Sequence, residues 1–555
     1  MPSVFAKPSK FNLSHTNLLT CDMGKLVPFY FEEVLPGDEF RVKTDAIIRL
    51  APMLAPIFGE VDFYTHYFFV PNRLVWDNWE DFITNGLESG SSTAVWPYVT
   101  GSTGDNWDIG SLADYIGVPV KDAAGTNGAS VVSPNGKYFS ALPFRAYDLI
   151  WNEWYRNEFL QSPLTISKAD GADATTSITL QNRSWKRDYL TSALPFTQLG
   201  NEALLPIFAN SNIDVSVMGT GKALGLQDAV GTGWNTKQII MNTSSTSWNS
   251  TKGAALGFYA NTTGESLGSM GSPQSPAPGN NIGLHTDPSM SGVKGSVNLY
   301  AQTTLNVNEV RLAFQLQRMM ERKARSGNRY VEYLAASFGV RSPDARLQRP
   351  EFLGGGKSPV MISEVLQTSE GTQNSPQGNM SGHGFGAART HAFNKAFTEH
   401  GMILGILSVM PKASYFQGRR RALYRTTYTD YYQPELSHIG EQPILNSEVM
   451  VNSTDSNNVA NETATFAFQP RYEEYCRHLN EVHGDYRTNL NYWHLARQFG
   501  STYVPFNSDF VTCDPSKRIF AAGDQADRPC WIEMFLDVKA IRPINKNRAP
   551  GLIDH

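Results

Sequence analysis

The alternation of hydrophobic and polar residues predicts β-strands toward both ends of the chain. In residues 39–50, polar side chains alternate with apolar ones at every second position, namely Phe40, Val42, Ala46, Ile48 and Leu50. This period of two is typical of a strand with one buried face. A strand at 26–34 precedes it, and the intervening Leu35-Pro36-Gly37-Asp38 predicts a type II turn. Further strands are predicted at 61–70, 400–410, 419–432 and 529–542.

Helical periodicity is limited to a few segments. Tyr147, Ile150 and Trp154 recur at three- and four-residue spacings, which predicts an amphipathic helix over 144–160. A longer helix is predicted from Asn306, a suitable N-cap, to Gly327, a suitable C-cap. The run SPDARLQRPEFLGGG that ends at residue 356 predicts a long ordered connection, because Pro and Gly disfavour both helix and strand. Residues 367–389 are predicted to be flexible.

Residues 213–300 differ in character from the rest of the chain. They are rich in Gly, Ser, Thr and Asn, carry few charges and show no sustained periodicity. A connection this long is usually functional or disordered, and the segment retains isolated aromatic residues: Trp234, Trp248, Phe258 and Tyr259. We therefore predict a surface insertion. The remaining chain divides into an N-terminal arm at 1–22 and two parts of one β-rich body at 23–212 and 301–555.

The composition suits a β-rich protein with extensive subunit contacts, and it suits a large monomeric β-sandwich enzyme or lectin equally well. Of 555 residues, 18% are charged and 12% are aromatic, whereas an average soluble domain has about 25% charged residues. Buried interface cores are depleted in charge and enriched in aromatics. The net charge of −5 is unlike that of a protein that neutralises nucleic acid by itself, for which a strongly basic chain is expected.

Several classes of chemistry have no support in the sequence. It contains no phosphate-binding loop, zinc-protease motif, nucleophile elbow or dinucleotide-binding glycine pattern. The four cysteines are widely spaced, which predicts neither a metal site nor a disulfide framework. The first fifteen residues lack the apolar core of a signal peptide, and the run from Met402 to Met410 is too short to cross a membrane. We expect a non-enzymatic protein without metal or cofactor.

Two basic clusters are candidates for contact with single-stranded nucleic acid. One consists of Arg419, Arg420, Arg421 and Arg425 with Tyr424, followed by further tyrosines. Guanidinium groups beside aromatic rings suit phosphate contact and base stacking, although ion pairs between subunits would explain them equally well. The other cluster lies at the end of the long helix, where the helix dipole already favours positive charge: Arg318, Arg322, Lys323, Arg325 and Arg329.

Five segments carry a resemblance to a known family. They are GNRYVEYLAASFGVRSPDARLQRPEFLGGG at 327–356, LVPFYFEEVLPGDEF at 26–40, FFVPNRLVWDNWEDF at 68–82, FRAYDLIWNEWYRNE at 144–158 and PGLIDH at the C-terminus. In these segments, which run in family order over nearly the whole chain, the sequence resembles the major capsid proteins of microviruses, especially the gokushovirus branch. These viruses are small, tailless bacteriophages with single-stranded DNA.

The resemblance implies a mainly β fold: an eight-stranded antiparallel jelly-roll β-sandwich with long loop insertions and a few short helices. It implies a T=1 icosahedral shell of sixty copies around circular single-stranded DNA, assembled in the cytoplasm of a host bacterium. It also implies a small basic DNA-binding virion protein, a receptor on the host cell surface and no membrane partner. Residues 213–300 match, by position and character, an insertion that forms a protrusion at the threefold axis and contacts the host.

Two other classes of protein share some of these features. A secreted carbohydrate-active β-sandwich enzyme would explain the tryptophans and the loops, but it predicts a signal peptide and a pair of catalytic carboxylates. A phage adhesin predicts repeats or a trimeric coiled coil. The sequence shows none of these.

Overall fold

The computed structural model describes residues 8–86, 92–102, 105–120, 135–201, 307–366, 368, 380–451, 458–500, 502–522 and 528–544, together with the backbone of six short strands between 216 and 296. The predicted N-cap Asn306 and the aromatic residues Trp234, Trp248 and Phe258 lie outside the described residues. Tyr259 lies in one of the short strands, and only its backbone is described.

Strands are the main elements of the fold. In the first part of the chain they are β1 (Ser9–Asn12), β2 (His15–Cys21), β3 (Val27–Val34), β4 (Glu39–Leu50), β5 (Val61–Pro71), β6 (Tyr98–Thr100) and β7 (Tyr138–Ser140). Short strands follow: β8 (Ser216–Gly219), β9 (Gly225–Gln227), β10 (Ile239–Ile240), β11 (Tyr259–Ala260), β12 (Gly283–His285) and β13 (Val293–Ser296). The last are β14 (Glu351–Leu366), β15 (Met380–Ala396), β16 (Gly401–Pro411), β17 (Glu441–Leu445), β18 (Thr465–Pro470) and β19 (Cys530–Arg542).

The helices are mostly short. They are α1 (Asn72–Val75), α2 (Trp79–Ile83), α3 (Leu112–Ile116), α4 (Leu142–Ile150), α5 (Val307–Ser326), α6 (Tyr330–Phe338), α7 (Asn446–Val449), α8 (Asn458–Thr463) and α9 (Ser508–Val511). A π-helical turn, Trp151–Tyr155, extends α4. The helix predicted over 144–160 is therefore shorter than expected, because Arg156 is already extended.

One large antiparallel sheet organises residues 1–201 and 318–555, which form one compact unit. The sheet curls, because β14 and β15 each change partners along their length. Residues 351–360 of β14 pair with β5, and residues 361–366 pair with β15, which then continues along β4. One half of the sheet contains β19, β4 and β15, with β1 and β2 both pairing with the outer edge of β19. The other half contains β14, β5, β16 and β3. The N-terminal arm thus contributes β1 and β2 to the sheet edge beside β19.

The hydrophobic core lies between the two halves of this sheet. Side chains from β4 and β19, such as Phe40 and Val538, meet side chains from β5 and β16, such as Phe63 and Val409. The opposite face of β5 and β16 is covered by a second cluster that includes Phe144 and Tyr147 of α4. This double cover confirms the prediction that residues 400–410 are buried on both faces.

Local turn chemistry is confirmed at two positions. Gly37 has a φ of 92°, and the Asp38 amide donates to the Leu35 carbonyl at 3.0 Å, as in a type II turn. Gly327 has a φ of 105° directly after α5, and its amide donates to the Lys323 carbonyl at 3.1 Å, as in a C-cap.

Three predictions of local structure are wrong. Gly354, Gly355 and Gly356 lie inside β14, because strands cross so closely there that a Cβ on Gly354 would lie 2.0 Å from the Ala392 carbonyl oxygen. Residues 380–389, predicted to be flexible, belong to β15, whose partner strands lie far away in the sequence. Residues 419–432, predicted to be a strand, form two short 3₁₀ turns, because their amides bond to carbonyls three residues back.

Residues 202–317 form a second compact unit. Its strands pair in a nested order, with β8 on β13, β9 on β12 and β10 on β11, all antiparallel.

Candidate nucleic-acid interface

The candidate DNA-contact residues lie on the connection between β16 and β17. The backbone of this connection runs close to α7: the Arg419 amide donates to the Ser447 carbonyl at 2.9 Å. A Cβ on Gly418 would lie 1.9 Å from the Glu448 carbonyl oxygen, so only glycine fits there. This close approach fixes the position of the backbone that carries the four arginines.

Each of the four candidate arginines faces a carboxylate of its own chain. Arg419 Nη2 lies 3.4 Å from Glu462 Oε2, and Arg421 Nη1 lies 3.4 Å from Glu448 Oε1. The other two pairs are shorter, with 2.5 Å from Arg420 Nη2 to Glu481 and 3.1 Å from Arg425 Nη2 to Glu474. Arg421 also donates to the Pro443 carbonyl at 2.8 Å. These contacts join residues 419–425 to β17, α7, α8 and the chain beyond β18.

Tyrosine rings cover several of the same guanidinium groups. Arg419 lies 4.8 Å from the ring centre of Tyr424, and Arg425 lies 4.5 Å from that of Tyr475. Burial, followed by the nearby Glu448 carboxylate, raises the pKa of Tyr424, so its hydroxyl stays protonated. The structure therefore brings the candidates together, but their charges and ring faces already have partners.

A cavity of about 810 Å³ opens beside these residues. Its lining includes the four candidate arginines together with Arg477, Arg487 and three glutamates. Among the candidates, Arg420 has the most exposed side chain, at 64%. Arg420 is thus the best placed of the set to reach a polyanion without losing its internal partner, and DNA contact stays a prediction.

The second basic cluster is divided by its contacts. Arg325 pairs with Glu441, and Lys323 lies over the ring of Tyr333. Arg329 donates to the carbonyls of Asn152 and Arg156 at 2.9 and 3.1 Å. These three cations hold α5 and α6 in place and do not form one binding surface.

Another group of cations has no recognisable pattern in the sequence. Arg156, Arg183, Lys186 and Arg187 join Arg329, already named in the second basic cluster, around a second cavity of about 570 Å³. They come from segments that are distant in sequence, and the only local signal is the Lys186-Arg187 pair.

The described ranges contain neither a cluster of His, Cys, Asp and Glu suited to a metal ion nor a helix long and apolar enough to span a membrane.

Comparison with known proteins identifies the family. Residues 1–552 match the model of the family described as "Capsid protein (F protein)". The chain is 34% identical to capsid protein VP1 of Chlamydia phage 1, covering 100% of this chain and 97% of that one. It is 32% identical to capsid protein VP1 of Bdellovibrio phage phiMH2K, covering 98% and 95%, and 29% identical to that of Spiroplasma virus 4, also covering 98% and 95%. The chain therefore belongs to the family of microvirus capsid proteins, which are structural components of the virion and not enzymes.

Proposed function

We propose that the chain is the jelly-roll subunit of a T=1 shell, with sixty copies enclosing a circular single-stranded DNA genome. One observation carries this proposal. Eight strands pair in a nested antiparallel order: β2 with β19, β3 with β16, β4 with β15 and β5 with β14. First pairs with last and each inner pair follows in turn, which is the winding expected of two Greek keys in a jelly roll.

The outer face of the sheet supports assembly from many copies. Five large apolar side chains on neighbouring strands are between 42% and 75% exposed: Leu18, Ile47, Phe385, Trp531 and Phe535. They form a mixed surface, because Trp531 and Phe385 lie beside Arg49, and Leu18 and Ile47 lie beside Glu533. Contact with a neighbouring subunit would bury it, and symmetry would repeat that contact around a closed shell.

The insertion fits a role in host contact. It lies in the chain between β5 and β14, so its presence need not disturb the pairing of the eight strands. We infer that residues 213–300 form the threefold protrusion and that Trp234, Trp248, Phe258 and Tyr259 contact a receptor on the host. The net charge of −5 leaves the genome's phosphates to a separate small basic virion protein, supplemented by local contacts such as those of Arg420.

Particle formation tests the proposal. The expressed protein, with its DNA and basic partner, should form uniform shells in negative-stain electron microscopy, with sixty subunits by native mass measurement. Arg420→Gln should lower DNA retention in intact shells. The matched change Arg421→Gln should instead destabilise the subunit, because it leaves the buried Glu448 carboxylate without its cationic partner. Monomers or isolated trimers under all assembly conditions would refute the shell proposal and favour an enzyme or an adhesin.

A further inference from the structure

The cavity of about 570 Å³ lies on the outer face of β5 and β14, beside the π-helical turn. Aromatic rings form much of its wall, from Tyr64, His66, Phe68, Trp154, Tyr155 and Phe352. Several of them pack against one another: the ring centres of Trp154 and Phe352 are 5.6 Å apart, and Phe68 lies 5.5 Å from Phe352. The volume is within the range of ordinary small-molecule sites, roughly 300–1,000 Å³.

Positive charge is concentrated in this cavity. Five cationic side chains and one carboxylate, Glu332, are in its lining. Arg329 pairs with Glu332 at 3.5 Å, but within the described ranges no carboxylate lies within salt-bridge distance of the other four cations: Arg156, Arg183, Lys186 and Arg187. The contrast with Arg419–Arg425 is direct, since all four of those arginines are paired within the chain.

Two polar atoms at the cavity lack partners. Arg156 Nε and Ser184 Oγ are buried and make no hydrogen bond. An unsatisfied buried polar group costs about 1–3 kcal/mol, and more when it is charged. Burial and the neighbouring Arg329 also lower the pKa of Arg156, against the opposing effect of Glu158 and Glu153. A bound anion would relieve both penalties.

Arg183 is already oriented for an anion. Its guanidinium lies over the ring of Tyr64, 4.3 Å from the ring centre, and Nη1 donates to Ser408 Oγ at 2.9 Å. Stacking on a ring leaves other N–H groups of the fork free to reach an oxyanion. The adjacent His66 is neutral at physiological pH, because burial and then Arg183 lower its pKa to about 4. The anion would therefore meet fixed guanidinium donors and an apolar wall.

We propose that this cavity binds one nucleotide of single-stranded DNA, with its phosphate on the unpaired cations and its base against the Trp154–Phe352 wall. Stacking of bases on aromatic rings beside cationic side chains is the usual mode of single-strand binding. The inference rests on the proposed enclosure of the genome, and it assigns a genome contact to residues other than Arg419–Arg425.

Binding of a short fluorescein-labelled oligothymidylate, followed by anisotropy, tests this site. The variant K186Q/R187Q removes two exposed cations without breaking an ion pair of the described chain. It should weaken binding about tenfold or more and reduce the salt slope by up to about 0.7, the contribution of the one single-strand phosphate that the site neutralises. The matched control R341Q/R346Q removes two exposed cations outside the cavity and should leave both quantities unchanged. Phe352→Ala should weaken binding at least about fivefold with an unchanged salt slope, as expected for loss of stacking.

The outcomes separate this inference from the proposed function. Equal binding by K186Q/R187Q and its control would overturn the nucleotide site while DNA-filled shells still supported the shell proposal. Failure of the unmodified chain to form shells, with oligothymidylate binding that depends on Lys186 and Arg187, would overturn the shell proposal alone. Displacement of the oligonucleotide by inorganic phosphate at equal phosphate concentration would refute nucleotide recognition and indicate a free-anion site. Binding of polyglutamate in preference to oligothymidylate would refute it in favour of an acidic peptide.

Discussion

Replacement of Arg145 by methionine should destabilise the subunit more than any exposed arginine substitution. Arg145 is completely buried in α4 and contacts two other segments, the end of α1 and the loop at 169–173. Nε donates to Asp173 Oδ2 at 2.8 Å, Nη1 to the Val75 carbonyl at 3.0 Å, and Nη2 to the Ala169 carbonyl at 2.9 Å. Methionine fills similar space but supplies no donor, so the Asp173 carboxylate and both carbonyls lose a partner.

The magnitude follows from what remains buried. Breaking one side of a buried ion pair costs about 3–5 kcal/mol, because the surviving charge is uncompensated. Hydrogen bonds from Thr175 and Thr176 still reach Asp173, which places the loss toward the lower end of that range. Arg73→Met is the matched control. Arg73 pairs with Glu399 at 2.7 Å, but both side chains are about one-third exposed, so the expected cost is only about 0–1 kcal/mol.

Guanidinium unfolding of the unassembled subunit, followed by tryptophan fluorescence, measures both variants. The midpoint should fall clearly for Arg145→Met and little for Arg73→Met. The double variant Arg145→Met/Asp173→Asn should recover part of the loss, since it removes the stranded charge. Similar small losses for Arg145→Met and Arg73→Met would refute the conclusion that this buried pair ties α4 to its neighbouring loops.

Three further predictions follow from the geometry. Burial holds the pKa of His66 at about 4, below the unfolded value of about 6.5, so its contribution to stability is present above pH 6.5 and is lost as pH falls toward 4. His66→Gln should flatten that part of the profile of stability against pH by at most about 3 kcal/mol. Gly418→Ala should cost about 1–3 kcal/mol in chemical denaturation, because its Cβ would meet the Glu448 carbonyl, whereas Gly500→Ala, with open space around its Cβ, should be nearly neutral. Replacing residues 219–295 with a short Gly-Ser linker should leave a soluble, β-rich subunit with nearly the same Tm, since the free energy of loop closure depends weakly on loop length. Particles built from this variant should fail to adsorb to host cells. Aggregation of the subunit or normal adsorption would contradict this prediction.

The sequence by itself determined the elements whose signals are local. The alternation in residues 39–50 and 529–542 appears as β4 and β19, each with one buried face. The apolar run at 400–410 appears as the fully buried β16. Pro36 and Gly37 specify their turn by themselves, because its third position needs a positive φ, which glycine adopts without strain. The family resemblance, carried by five segments, likewise needed no structure.

The tertiary structure decided every feature that depends on a distant partner. Gly354–Gly356 read as a loop in sequence but lie in β14, because Thr65 and Ala392 approach too closely for any side chain. Arg419–Arg425 read as a basic surface, yet their charges are neutralised by glutamates that lie tens of residues further along the chain. The cations of the aromatic cavity come together only when the end of the π-helical turn, the segment 183–187 and the start of α6 are packed beside β5. Local patterns record which face of a segment is buried, whereas the net charge of a site depends on which distant segments the fold places beside it.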